Sequence, residues 1–116
     1  MTQVYVVAAQ RSAIGSFGGS LKDVAPGVLG ASVTRAAIAK SGIDPKLVGH
    51  VVFGQVVPTV PEDAYIARVA AVNAGVPFEA PALTVNRLCG SGLQAIVSAT
   101  QAIMLGDCDV AIGGGV

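Results

Sequence analysis

The apolar residues of this chain are arranged in two ways, as short continuous segments and at helical spacing. Residues 4–9 form an unbroken apolar run, which is typical of a strand buried on both faces. The mainly apolar segments 50–57, 82–85 and 109–112 are also predicted to be strands. Between them, apolar residues recur at helical spacing in residues 26–41, 62–74 and 91–105. Strands that alternate with helices are typical of a parallel sheet with right-handed crossover connections. The pattern therefore predicts an α/β domain.

Proline and glycine mark where these elements begin and end. Pro26 suits the first turn of the first helix, and Gly42 suits its C-terminal stop. Gly75 suits the end of the second helix. We expect residues 11–22, which are rich in glycine and serine, to form a loop, and the glycine run at 113–115 to follow the fourth strand.

The composition indicates a chain with little surface suited to water. Hydrophobic residues make up 53% of the chain and charged residues 12%, against about 25% charged residues in an ordinary soluble domain. The helix predicted at 91–105 contains no charged residue, so it lacks a polar face. We therefore expect the 116 residues to form one incomplete domain, the first piece of a longer protein whose remainder covers that helix.

Charge and cysteine usage exclude several classes of function. The net charge is zero and the seven basic residues are dispersed, which argues against a nucleic-acid-binding surface. Two cysteines and one histidine provide neither a disulfide framework nor a metal-ligand pattern, so we expect no metal site. Cys108 is expected to be a small buried side chain, and His50 to begin a strand without a catalytic role.

The sequence also bears on where the protein resides. The first residues lack the basic and apolar regions of a signal peptide. The charge-free run at 88–106 has the length of a membrane span, but it contains too many polar residues and glycines for one. We expect a soluble, cytoplasmic protein that contacts no membrane.

The segment 86–95 reads Asn-Arg-Leu-Cys-Gly-Ser-Gly-Leu-Gln-Ala and places Cys89 between the third predicted strand and the third predicted helix. A helix N-terminus carries a partial positive charge and unpaired backbone N–H groups, which favour a thiolate over a thiol. Gly90 and Gly92 leave out side chains that would keep a bulky acyl donor from the sulfur. The same N–H groups can hold the oxyanion that forms when a thiolate attacks a carbonyl.

Three other interpretations of this segment stay open on the residues alone. Residues 90–95 match the dinucleotide-binding pattern G-x-G-x-x-A. The acidic residue that holds the ribose in that pattern follows the next strand, whereas Asp107 and Asp109, which have roughly the right sequence spacing, precede it. A hydrolase nucleophile elbow needs a glycine where Arg87 stands. The third interpretation is a glycine-rich turn with a structural cysteine.

Four segments together resemble the thiolases, the acetyl-CoA acyltransferases. Residues 86–95 resemble the acyl-cysteine motif of that family, and residues 11–21 resemble its N-terminal loop signature. Residues 52–56 and 107–115 resemble its second and fourth strands, although the Glu-x-Met-Ser sequence that follows the fourth strand in the family is absent here. The resemblance runs in order through essentially the whole chain and corresponds to the N-terminal part of a family member.

This resemblance implies a thiolase-like αβαβα layered fold made of two similar halves. Residues 1–116 would be an incomplete N-terminal domain that supplies most of the first half. The helix at 91–105 would pack centrally between the halves, and the strand that leads to Cys89 would lie at a dimer interface. A homodimer or homotetramer is therefore implied.

The implied reaction is acyl transfer between CoA thioesters through an acyl-cysteine intermediate, as in fatty acid metabolism. Cys89 would be the nucleophile, and its backbone N–H would contribute to the oxyanion hole. CoA thioesters would be substrates, with no separate cofactor. The family's activating histidine and second cysteine lie in its second half, so His50 and Cys108 do not take those roles, and the fragment alone should be inactive.

Two alternatives stand beside this β-ketothiolase interpretation: a non-catalytic thiolase-like scaffold, and a related condensing enzyme such as a ketoacyl synthase. Residues 57–68 bear on substrate choice. They differ from the loop rich in glycine and Gln-Asn-Pro that biosynthetic acetoacetyl-CoA thiolases often carry. They look more like the loop of the broader β-ketothiolases, which accept longer 3-oxoacyl chains.

Overall fold

The computed structural model describes residues 2–116 and contains a three-stranded parallel sheet with helices on both faces. The strands are β1 (His50–Gly54), β2 (Ala82–Val85) and β3 (Ala111–Gly115), in the order β2-β1-β3. Val51 pairs with Ala82 on one side of β1 and with Ile112 on the other. The predicted α/β class with a parallel sheet is confirmed.

Three helices connect and cover the strands: α1 (Pro26–Ser41), α2 (Ile66–Asn73) and α3 (Ser91–Leu105). The predicted bounds of α1, α3 and β2 are confirmed residue for residue. Gly42 follows α1 with φ of 71°, a left-handed conformation that glycine adopts without steric cost and that ends the helix. Gly75 likewise stops the second helix with φ of 91°.

The second helical segment is divided into two parts, where the sequence predicted one helix. A short 3₁₀ helix at Pro61–Tyr65 precedes α2. Asp63 lies within it, and its carboxylate accepts hydrogen bonds from the backbone N–H groups of Thr59 and Val60 at 2.7 and 3.2 Å. These bonds hold the tighter turn. A second 3₁₀ helix, Pro45–Leu47, leads into β1.

The fourth predicted strand is displaced toward the C-terminus. It was predicted at residues 109–112 with the glycine run after it, whereas β3 includes all three glycines. An added Cβ would lie 2.7 Å from the Ile96 Cα at Gly113 and 2.7 Å from the Phe53 ring at Gly114. Glycine is therefore required on both faces of β3 by close tertiary contacts, which local sequence patterns do not reveal.

The strand predicted at residues 4–9 is wrong for this structure: within residues 2–116 this segment belongs to no sheet. Its apolar side chains are exposed, with Val6 at 81%. A cleft of about 790 Å³ lies between this segment, the outer edge of β3 and one side of α1. A β-strand needs a neighbour for its backbone hydrogen bonds, and residues 4–9 pair with none of the three strands.

Two hydrophobic clusters, one on each face of the sheet, hold the layers together. Val51 and Phe53 of β1 pack with Ile66 and other residues of α2. Val52, which points to the opposite face because strand side chains alternate, packs with Ala95 and Ala99 of α3. The molecule thus has three layers, with β1 buried at the centre.

The outer face of α3 is apolar and open to solvent. Leu93 and Leu105 are 69% and 79% exposed, and Ile96, Val97 and Met104 are exposed as well. Residues Leu88–Leu105 pass a length-and-composition test for a membrane span, which a core helix of a soluble protein also passes. The expectation that a further part of the protein covers this face stays a prediction.

Candidate active site

The loop between β2 and α3 presents Cys89 at the mouth of the helix, as the sequence predicted. Cys89 is exposed, and so are its neighbours Leu88 and Gly90. Because β2 belongs to a parallel sheet, this loop lies at the edge where the strands have their carboxyl ends, the usual place for ligands in α/β proteins.

Glycines beneath α3 fix where its first turn lies. An added Cβ at Gly54, the last residue of β1, would come within 2.6 Å of the Ser91 backbone. Gly115 of β3 also approaches the helix, since an added Cβ there would lie 3.5 Å from the Gly92 Cα. The helix backbone therefore rests directly on the sheet, and its N-terminus has a fixed position.

Leu88, immediately before Cys89, has φ of 48° and is the single non-glycine residue with positive φ within residues 2–116. This left-handed conformation is costly for a leucine because its Cβ crowds the backbone. Asn86 supports the turn from one side: its side-chain oxygen accepts from the Leu88 N–H at 3.0 Å, and its amide donates to the Val56 carbonyl at 3.1 Å.

Ser91 supports the same turn from the other side. Its hydroxyl accepts from the Arg87 N–H at 2.8 Å and donates to the Leu88 carbonyl at 2.6 Å. Asn86, Leu88 and Ser91 lie within the motif at residues 86–95, but the sequence pattern predicted no role for them. Serine and asparagine beside a glycine are a general turn signal, but nothing in the pattern indicated that the leucine would be left-handed.

Backbone N–H groups at this helix mouth remain available to a ligand. In the hydrogen bonds of residues 2–116, no acceptor is paired with the N–H groups of Cys89, Gly92 or Leu93. The Arg87 guanidinium donates to the Gln94 side chain and lies along the outer side of the first turn. An exposed sulfur beside free N–H donors is an arrangement suited to thiolate attack on a carbonyl.

Cys108 lies just past the opposite end of α3 and has different surroundings. It is half-buried, and burial together with the charges of Asp107 and Asp109 raises the pKa of its thiol. His50 begins β1, where its Nδ1 lies 3.1 Å from the Pro81 carbonyl oxygen. The structure thus brings neither residue to Cys89. The expected strand-start position of His50 is confirmed, and Cys108 is less buried than expected.

The large cleft beside β3 is separate from the cysteine loop, since Cys89 does not line it. Its walls are mainly apolar and come from residues 4–15, α1, α3 and β3. No group of three or more histidine, cysteine, aspartate or glutamate side chains within residues 2–116 is placed to hold a metal ion.

Comparison with known proteins decides the family. The family described as "Thiolase, N-terminal domain" matches residues 4–116, nearly the whole chain. The chain belongs to the thiolase family.

Individual thiolases agree with this assignment. The chain is 67% identical to the beta-ketothiolase BktB of Cupriavidus necator and 45% identical to an acetyl-CoA acetyltransferase of the same organism, covering 97% and 99% of this chain. It spans 29% of the length of each relative. The structure of human mitochondrial 3-ketoacyl-CoA thiolase in complex with CoA superposes with a TM-score of 0.87 at 39% identity, covering 90% of this chain and 26% of that one.

Thiolase membership removes the dinucleotide-binding interpretation of residues 90–95. The structure agrees, because Asp107 and Asp109 precede β3 at its amino end, away from the edge where a ribose would be held. The predicted thiolase-like fold is confirmed, with this chain forming the part that leads into and out of the cysteine loop.

Proposed function

We propose that the full-length protein containing these residues is a β-ketothiolase, an acyltransferase that forms an acyl-thioester on Cys89. The observation that carries the proposal is the exposed Cys89 thiol at the mouth of α3, beside unpaired N–H groups and between residues that hold its turn. Family membership supports the reaction class. Because this chain spans 29% of its relatives' length, the proposal concerns the longer protein.

In the degradative direction, the Cys89 thiolate attacks the 3-oxo carbon of a 3-oxoacyl-CoA. A sulfur–carbon bond forms, and the negative charge that develops on the oxygen is stabilised by N–H donors, to which the Cys89 N–H contributes. The bond between the second and third carbons then breaks, and its electron pair takes a proton to give acetyl-CoA. The remaining acyl group stays on Cys89 as a thioester.

The second half-reaction restores the enzyme. The thiol of free CoA loses its proton and attacks the Cys89 thioester, so that a new acyl-CoA leaves and the Cys89 thiolate is regenerated. In the reverse direction, acetyl-CoA acylates Cys89 and the carbanion of a second acetyl-CoA attacks. The activating histidine, the acid/base cysteine and the residues that bind CoA would come from the remainder of the protein. No cofactor is needed besides the CoA substrates.

The proposed substrate preference extends beyond four-carbon chains. It rests on the loop at 57–68, and it gains support from the greater identity to a beta-ketothiolase (67%) than to an acetyl-CoA acetyltransferase (45%) of one organism. We propose that 3-oxovaleryl-CoA and 3-oxohexanoyl-CoA are cleaved alongside acetoacetyl-CoA. Cleavage of acetoacetyl-CoA alone would contradict this preference.

We also propose a homodimeric or homotetrameric cytoplasmic protein, in which further residues of the full-length chain cover the outer face of α3. The exposed Leu93 and Leu105 support that arrangement, since contiguous exposed apolar surface marks contact sites in soluble proteins. Light scattering of the full-length protein would give the number of subunits directly.

The test of the proposed function is thiolysis of 3-oxoacyl-CoA by the full-length protein and by its Cys89→Ala and Cys108→Ala variants. We expect the parent and Cys108→Ala to cleave the substrate and Cys89→Ala to be inactive. Decarboxylation of a malonyl thioester without thiolysis would instead indicate a condensing enzyme of the ketoacyl synthase kind. No turnover and no acylation by a folded parent would indicate a scaffold.

A further inference from the structure

The Leu88–Cys89 peptide is held in one orientation by groups of the α3 N-terminus. The Leu88 carbonyl oxygen accepts from the Ser91 hydroxyl at 2.6 Å and from the Ser91 N–H at 3.0 Å. In a trans peptide the C=O and the following N–H point in opposite directions. Since the carbonyl points into the first turn of α3, the Cys89 N–H must point away from that turn.

This orientation is not one that the local sequence would adopt unaided. Leu88 has φ of 48°, and the left-handed region is disfavoured for a leucine. Relieving the leucine requires rotation about its own N–Cα bond, which would swing the Leu88–Cys89 peptide away from Ser91. That rotation would break both bonds to the Leu88 carbonyl and change the direction of the Cys89 N–H. The hydrogen bonds therefore maintain a backbone conformation that is strained and useful.

The Ser91 side chain is the group best placed to prevent this rotation of the Leu88–Cys89 peptide. It is 4% exposed, so water does not replace its hydrogen bonds readily. Its hydroxyl connects the Arg87 N–H to the Leu88 carbonyl and so closes a bridge across the Arg87–Leu88 segment. The backbone underneath cannot yield, because Gly54 and the Ser91 backbone are already in close contact.

We propose that Ser91 is a positioning residue for acylation: its hydroxyl fixes the Leu88–Cys89 peptide so that the Cys89 N–H points at the oxyanion of the attacked carbonyl. The inference rests on the proposed function, in which Cys89 is the acylated group. Ser91 touches no reacting atom in this account. It acts through the peptide that precedes the nucleophile.

The test compares two reactions of Cys89 in the full-length protein. Acetylation by acetyl-CoA builds negative charge on a carbonyl oxygen and needs the aimed N–H, whereas alkylation by iodoacetamide displaces iodide and builds no oxyanion. We expect Ser91→Ala to acetylate Cys89 about tenfold more slowly or worse, a partial loss of one oxyanion donor. Alkylation of Cys89 should stay within about twofold of the parent rate, because its thiol remains exposed.

Ser98→Ala is the matched control, since Ser98 is on the same helix and accepts from Gln94 without touching the turn. It should leave both rates unchanged. Leu88→Gly provides the second test, because glycine adopts positive φ freely. In that background, adding Ser91→Ala should slow acetylation by clearly less than it does beside leucine. If Ser91→Ala alone fails to fold, Leu88→Gly is compared directly with the double variant, and a loss of acetylation of about tenfold or more beside glycine would contradict the positioning role.

The outcomes separate this inference from the proposed function. If the parent is acetylated on Cys89 and Ser91→Ala is acetylated equally fast, the positioning role is wrong and the thiolase proposal stands. The positioning role would also be overturned if Ser91→Ala lowered the acetylation and alkylation rates equally. It would be overturned as well if Ser91→Ala slowed acetylation equally in the parent and in the Leu88→Gly background. A folded parent that acquires no acetyl group contradicts the proposed function itself, and the positioning role falls with it.

Discussion

The two cysteines lie at opposite ends of the same helix, and they differ in exposure, in nearby backbone donors and in nearby charges. Cys89 precedes the N-terminus of α3, is exposed, and has unpaired N–H groups near it. Cys108 follows the C-terminus, is half-buried, and stands between Asp107 and Asp109, which together with burial raise the pKa of its thiol. Under the proposed function, the position at the N-terminal end of a helix, and not the presence of a thiol, selects the nucleophile.

Replacing each cysteine in turn gives the largest expected difference between the two ends. Cys89→Ala should lower kcat of the full-length protein by at least about 10⁴-fold, since no covalent intermediate can form without the nucleophile. Cys108→Ala should retain kcat within about threefold, with a modest loss of stability from the smaller side chain. Steady-state thiolysis measures both. A large loss in Cys108→Ala would mean that the two ends share the chemistry.

Gly49, which precedes β1, and Gly54, the last residue of β1, allow a similar comparison through packing. An added Cβ would lie 2.6 Å from the Cys108 Cβ at Gly49 and 2.6 Å from the Ser91 backbone at Gly54. We expect Gly49→Ala and Gly54→Ala each to lower the free energy of unfolding by about 1–3 kcal/mol, the usual cost of overpacking. Denaturant titration measures this loss.

The effect on chemistry should differ between these two variants. Gly54→Ala displaces the first turn of α3, so it should also slow acetylation of Cys89, whereas Gly49→Ala should leave that rate near the parent value. Gly92→Ala is a control for glycine removal, because an added Cβ there meets nothing within 4 Å. It should not lower stability. Equal acetylation rates in Gly49→Ala and Gly54→Ala would show that the helix position does not matter.

Removing the negative charges beside Cys108 should change the difference in reactivity between the two cysteines by a smaller amount. Asp107→Asn with Asp109→Asn removes two of the three causes that raise the pKa of Cys108, and burial, the largest cause, remains. Alkylation of Cys108 at pH 8 should become roughly three- to tenfold faster, in proportion to its thiolate. Peptide mass mapping measures each cysteine separately. If the Cys89 rate changes as much, the effect is not local.

Replacing Asp63 should have the smallest effect of these changes. It should affect the structure near Cys89 and not the structure near Cys108. Burial alone would raise the pKa of its carboxyl, but hydrogen bonds from Thr59 and Val60 outweigh burial and lower it. The charged form is thus favoured by folding. The Asp63 carboxylate should contribute fully to stability at pH values above its unfolded-state pKa. This contribution should be lost as the pH falls below about 4.

Asp63→Asn tests this pH dependence. Thermal unfolding should show the variant less stable than the parent at neutral pH, and the difference should shrink on acidification. The variant should also loosen the loop that ends at Asp63, including Val56, whose carbonyl accepts from Asn86. A difference that stays constant between pH 7 and pH 3 would contradict the assigned hydrogen bonds.

Local sequence signals predicted those elements whose ends are marked chemically. Pro26 and Gly42 bound α1, and the glycine-rich mouth of α3 placed both the helix and Cys89. Elements that depend on distant partners were predicted less well. The glycines of β3 are explained by Ile96 and Phe53, which lie far away in sequence. Residues 4–9 look like a strand but lack a neighbour to pair with in the described residues.

The candidate site shows the same division. A cysteine followed by two nearby glycines at a helix start is visible in the sequence, and the family resemblance gave it a predicted role. The left-handed Leu88 and the Ser91 hydroxyl bridge are not visible, because leucine disfavours that conformation everywhere else. That turn is stabilised by the hydrogen bonds of Asn86 and Ser91 and by packing of α3 against the glycines of β1 and β3.

The most direct test of the central claim is the location of the acetyl group after the full-length protein is mixed with acetyl-CoA and digested. The account predicts one acetyl group per chain, found on the peptide that contains Cys89, and none on the peptide that contains Cys108. Acetylation of Cys108, or an even distribution between the two cysteines, would contradict the claim that the N-terminal end of α3 selects the nucleophile.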